Sequence, residues 1–230
     1  MKLMHPLFSA PLCLREDAVS VLTIESPAAY RAIVTDLALQ EEGEQGALVL
    51  SRDGEILDCA EHLHVVRDFV HLQPAGKRIA HRLQAELLRA AREEMTGETE
   101  SLFQNLRTWL GRLSMCVDFP TSFREQEDVA ALLKAFAFGV DLTGLSPCEA
   151  LIERLSIASQ LLGDLCLVLV QAKRWFTPEE MDQIYRTARY QKWRLLLVES
   201  QAGERRLGEE HLLLDQDLCE LRSEGGEIMA

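Results

Sequence analysis

Leu165-Cys166-Leu167-Val168-Leu169-Val170 is an unbroken apolar run. It is far shorter than the ~20 residues a membrane span needs, and it lacks the polar alternation of a strand with one wet face. Such a run suits a strand in a parallel sheet covered on both sides. Its flanks agree. Ser146-Pro147-Cys148-Glu149 before it and Thr177-Pro178-Glu179-Glu180 after it are capping boxes with proline at the first helical position. They open helices running to about Leu162 and Tyr190. Arg194 to Glu199 (RLLLVE) reads as the next strand, and His211 to Leu214 offers another. Helix, strand, helix, strand is the pattern of a parallel α/β sheet.

The N-terminal part repeats the theme. Val19 to Glu25 (VSVLTIE) is a short β-branched strand, and Ser26-Pro27 starts a helix that runs to about Gln40. Ala47 to Ser51 is a second strand, closed by the turn Arg52-Asp53-Gly54-Glu55. The alternating stretch His62 to Arg67 offers a third. The middle is helical: Lys77 to Met95, then Glu100 to Cys116 after a Gly97-containing turn, then Glu127 to Phe138. The simplest architecture is a discontinuous α/β domain, residues 1–72 and 143–230, with a mainly parallel sheet and a helical insertion over 73–142.

The composition, 47% hydrophobic and 27% charged, is that of a soluble globular protein. The N-terminus has one lysine and is broken by Pro6 and Pro11, unlike a signal peptide. We expect a cytoplasmic protein without a membrane span. The six cysteines show no CxxC and no metal-ligand spacing, which suggests buried thiols. The first strand runs into Ser26-Pro27-Ala28-Ala29-Tyr30 with neither GxxxxGK[ST] nor GxGxxG. Without those glycines the backbone cannot wrap a phosphate, and we expect no ATP binding or hydrolysis there. No nucleophile elbow or HExxH helix appears, so no catalytic residue is assigned. His62 and His64 share one side of a candidate strand, either as half a metal site or as a solvated face.

Two charged features remain. In Lys77 to Met95, at ~100° per residue, Arg78, Arg82, Arg89 and Arg92 fall within an arc of roughly 80°. Ile79, Leu83, Leu87, Ala90 and Ala91 lie opposite. A net charge of -13 disfavours general nucleic-acid binding, but one cationic face, with Lys77 at its start, suits an anionic ligand held in one place. The other reading is a solvated face with pairs such as Arg82-Glu86 and Arg89-Glu93. Asp118, Glu125, Glu127 and Asp128 gather around a loop between helices. Loop carboxylates suit calcium, which takes six to eight oxygens, or else they are a solvated helix start.

The order of segments VSVLTIESPAAYRAIV, HLHVVRDFV, the helical middle, ALLKAFAFGVDL and LCLVLVQAKRWFTPEEMDQIYRTARYQKWRLLLVES resembles the Csn2 family of type II-A CRISPR systems, from about Val19 to Leu221. The resemblance implies an α/β head like a P-loop NTPase core without its phosphate loop, and a helical leg. It implies a homotetrameric ring that binds ends of double-stranded DNA without sequence preference and is not an enzyme. It also implies structural calcium, a role in spacer acquisition for antiviral defence, and as partners the adaptation integrase and the RNA-guided effector nuclease. On this chain the DNA-facing wall would carry Lys77, Arg78, Arg82, Arg89 and Arg92. The calcium ligands would be Asp118, Glu125, Glu127 and Asp128, although Phe119, Pro120, Thr121 and Ser122 interrupt that loop. The rival readings are a protein-interaction scaffold and a degenerate nucleotide-binding module without catalysis.

Overall fold

A computed structural model describes residues 1–72, 76–124 and 126–223. The chain opens with two short strands, β1 (Lys2–Met4) and β2 (Leu12–Cys13), followed by β3 (Val19–Ile24) and helix α1 (Pro27–Glu41). A hairpin, β4 (Val49–Arg52) and β5 (Glu55–Leu57), leads through one helical turn, α2 (Cys59–His62), into β6 (Leu63–Val66). Three helices come next: α3 (Lys77–Glu93), α4 (Thr96–Ser114) and α5 (Val129–Ala135). Then follow α6 (Pro147–Leu162), β7 (Cys166–Val170), the short α7 (Ala172–Trp175), α8 (Pro178–Tyr190), β8 (Arg194–Glu199), β9 (Glu209–Leu214) and β10 (Glu220–Ser223).

The main sheet has the order β10-β9-β3-β8-β7-β6, parallel except for β10. The apolar run forms β7, which pairs Val168 with Val65 on one side and with Leu196 on the other. Cys166, Val168 and Val170 face a core built with Ala29, Ile33 and Leu37 of α1. The alternate residues Leu167 and Leu169 point the other way and are buried too. That second face requires cover, and α6 (Leu151, Leu155, Ala158) and α8 (Met181, Ile184, Tyr185, Ala188) carry buried faces at helical spacing. Both helices start at complete capping boxes, at Ser146/Glu149 and Thr177/Glu180.

Several elements differ from the sequence reading. Residues 47–51 do not join the main sheet. β4 lies in a separate antiparallel sheet, β2-β1-β4-β5, held by the Lys2↔Ser51 and Leu3↔Leu50 pairings. Asp53 (φ 52°) and Gly54 (φ 90°) supply the two left-handed positions of its two-residue turn. β6 is buried throughout and does not alternate. His62 belongs to α2, where its Nδ1 meets the Asp164 carbonyl at 2.9 Å. His64 is buried, with Nδ1 3.4 Å from Glu41 Oε1, so a solvated histidine face does not exist. β6 is a sheet edge whose Val65 N–H donates to the Glu41 side chain at 2.9 Å. Gly97 lies inside α4, which begins at Thr96, and α5 stops at Ala135, before Ala137 enters a left-handed conformation (φ 48°). All six cysteines are free, but only Cys59, Cys148 and Cys166 are buried; Cys13, Cys116 and Cys219 are exposed.

Residues 1–73 and 142–230 pack as one compact unit and residues 74–141 as another. No helix among the described residues is long and apolar enough to cross a membrane.

Candidate nucleic-acid interface

α3 is built of strong helix formers, with no proline inside and strong amphipathicity. Ile79 is fully buried, and Leu83, Leu87, Leu88, Ala90 and Ala91 are half-buried. Lys77, Arg82, Arg89 and Arg92 are exposed and Arg78 is half-buried. The sequence-derived faces are therefore also the wet and packed faces of the helix. The 74–141 unit contains nine basic and ten acidic residues. It is close to neutral, and the other unit carries nearly all of the net charge of -13. A cationic face on this unit is less opposed by its surroundings than it would be elsewhere.

The arginines are not equivalent. Arg89 is held by Glu86 (3.1 Å), Glu93 (3.0 Å) and Glu94 (3.4 Å). Its hydrogen bonds to Glu86 and Glu93 raise its pKa, and the same carboxylates offset its charge for any incoming anion. Arg78 and Arg82 also have interaction partners. Arg92 opens onto a concave surface shared with Thr96, Glu100, Glu127 and Asp128.

Three of the four expected calcium ligands lie in the described part of the acidic loop. Glu127 is paired with Arg107 at 2.8 Å, and one Asp128 oxygen caps α5 by accepting the Ala131 N–H at 2.9 Å. Asp118 is exposed, and Glu125 lies outside the described residues. Among the described residues no three Asp, Glu, His or Cys side chains come together as metal ligands.

The sequence reading missed a buried polar network in the α/β unit. Glu209, at the start of β9, accepts from Tyr185 Oη (2.5 Å) and lies 2.7 Å from Lys173 Nζ through Oε1. Its Oε2 meets His211 Nε2 (2.6 Å) and the Arg206 N–H (3.0 Å). Burial alone pushes this carboxyl upward, but the bonds from His211, Lys173, Tyr185 and Arg206 prevail and hold it at about 2. Glu199, at the end of β8, accepts the Lys173 N–H at 3.0 Å and is raised by its burial. Tyr185 lies 24 residues from Glu209, and Lys173 lies 26 residues from Glu199, so no local spacing in the sequence announces the network. Both carboxylates of the network are buried, and Arg206 ties the 200–208 connection to α8 through Asp182.

The crystal structure of Stu0660 of Streptococcus thermophilus has a similar fold, with a TM-score of 0.63 at 12% identity over 93% of this chain and 74% of that one. No curated protein sequence matches. Residues 40–218 match the family model described as "CRISPR-associated protein (Cas_Csn2)".

Proposed function

Because this chain belongs to the Csn2 family of CRISPR-associated proteins, we propose that it binds ends of double-stranded DNA as a cytoplasmic homotetrameric ring without catalytic activity, during spacer acquisition in antiviral defence. Its partners in this reading are the adaptation integrase and the RNA-guided effector nuclease. The observation that carries the reading is the exposed cationic face of α3, Lys77 to Arg92, on a near-neutral unit of an acidic protein. Arginine and lysine on one helix face meet phosphates and not base edges, so binding is insensitive to sequence and sensitive to salt.

A ring admits duplex only from an end. Mobility shifts with linear and covalently closed circular duplex of equal sequence test this. Binding to the linear form alone is the expected result, and equal binding to both forms rejects threading in favour of an open cationic surface. In this reading Asp118, Glu125, Glu127 and Asp128 are the candidate ligands of a structural calcium ion. Structural calcium in the assembly is tested by particle mass in calcium and in chelator. A smaller particle in chelator supports it, and an unchanged mass rejects it.

A further inference from the structure

Beyond the carboxyl ends of β6 and β7 the α/β unit presents an aromatic platform. Trp175 is 48% exposed. Phe69 stacks against it, with ring centroids 6.1 Å apart and planes 27° apart. Phe69 is itself buried and held edge-on by Phe176 at 5.2 Å and 78°. The indole is thus fixed in orientation while much of it stays in water, an arrangement that forgoes the burial such a side chain normally gains.

Two cations share its cavity. Arg67, Gln171, Arg174 and Trp175 line one concave surface, with Asp68 and Val70 at its side. Arg174 donates to the Gln201 side-chain oxygen at 2.5 Å, which orients its guanidinium without neutralising it. Arg67 forms no ion pair with a described residue. The Asp68 carboxylate is occupied by the Val70 and His71 N–H groups and the His71 ring. Both arginines are exposed, in a unit where acidic residues far outnumber basic ones. Gln171 follows the apolar strand in a left-handed conformation (φ 63°), an uncommon state for a residue with a side chain. Its Nε2 donates to Tyr30 Oη at 2.8 Å, and its buried Oε1 has no partner. In open α/β sheets the crevice beyond the carboxyl strand ends is where ligands bind.

We propose that this cavity takes one unpaired nucleotide, its base stacked on Trp175 and its phosphate bound by Arg67 and Arg174. Every base has a face for the indole, and a guanidinium matches phosphate in shape and charge. An acidic peptide would use the arginines and leave the platform bare; a planar anion uses both. The same chemistry is offered by a free mononucleotide and by an unpaired residue at a DNA terminus. In the latter form the inference rests on the DNA-end reading above.

The test uses the full chain with three probes: a blunt duplex, the same duplex with a three-nucleotide overhang, and deoxyadenosine monophosphate. For a DNA terminus, the overhang tightens binding on the order of tenfold over the blunt duplex, as base–aromatic stacking allows. Trp175→Ala and Arg67→Ala/Arg174→Ala abolish that gain, Trp175→Phe keeps most of it, and blunt-duplex binding does not change. For a free nucleotide, the monophosphate binds wild type and not Trp175→Ala, with no preference for the overhang. The proposal is overturned if wild type shows neither the gain nor monophosphate binding, or if Trp175→Ala retains them. The blunt-duplex arm reports separately on the DNA-end reading.

Discussion

Glu209 shows how much a single side chain can carry. Its carboxylate is buried, yet it is held ionised by four donors with a pKa of about 2, below the ordinary 4.5. A depressed folded-state pKa contributes stability that is fully present above the unfolded value and is lost as pH falls toward the folded one. Stability therefore declines between about pH 4.5 and 2. Glu199 is shifted upward and works in the opposite sense, so the acid-labile part belongs to Glu209. Replacing Glu209 with Gln leaves the Lys173 ammonium with the Glu204 carbonyl but without its carboxylate, and removing one member of a buried pair costs about 3 kcal/mol. Denaturant midpoints at pH 7 and pH 3 check both points. The wild type loses stability at pH 3, while Glu209→Gln starts lower and changes less between the two. Equal pH dependence in both proteins rejects the assignment.

At the scale of elements, what was legible in the sequence is what is local. Both capping boxes, the apolar β7 and the two faces of α3 are set by residues within a few positions of one another, and all are present. What the sequence hid depends on pairings far apart in the chain. β4 is drawn to its own sheet by Leu3 and its neighbours, well back in sequence. Glu127 is paired with Arg107 from across the loop. Trp175 meets Phe69 from the other side of the helical segment, so no spacing rule reveals the platform. Within α3, the Arg89–Glu93 pair follows from its spacing, but the choice between a solvated and a ligand-facing stripe does not. The caps carry a measurable share of stability. Ser146→Ala removes the acceptor for the Glu149 N–H and costs about 1 kcal/mol in chemical denaturation. A change within error would mean that tertiary packing alone fixes the start of α6.

For the whole molecule the uneven distribution of charge matters most. Nearly all of the net negative charge lies on the α/β unit and the helical unit is close to neutral, so in the reading proposed above duplex is repelled by the first and met by the cationic face of the second. The salt dependence of DNA binding measures how many cations take part. Replacing Arg82 and Arg92 together with Gln lowers the slope of log K against log salt by about 2. Arg89→Gln lowers it by less than about 1, because Glu86 and Glu93 already offset that charge. An unchanged slope in the double variant moves the DNA contact away from α3.

The Glu41 side chain on the Val65 N–H also bears on how copies of this protein can meet. A parallel sheet with a bare border is a template on which a foreign strand can add, and from there fibrils can grow. Here a carboxylate stands on that border in place of the next strand. At the opposite border, β10 is four residues long, and its Glu220 and Arg222 grip the Ser9–Pro11 segment. At both borders of the main sheet, then, a charged side chain stands where an added strand would have to pair, which disfavours growth of that sheet by a second copy.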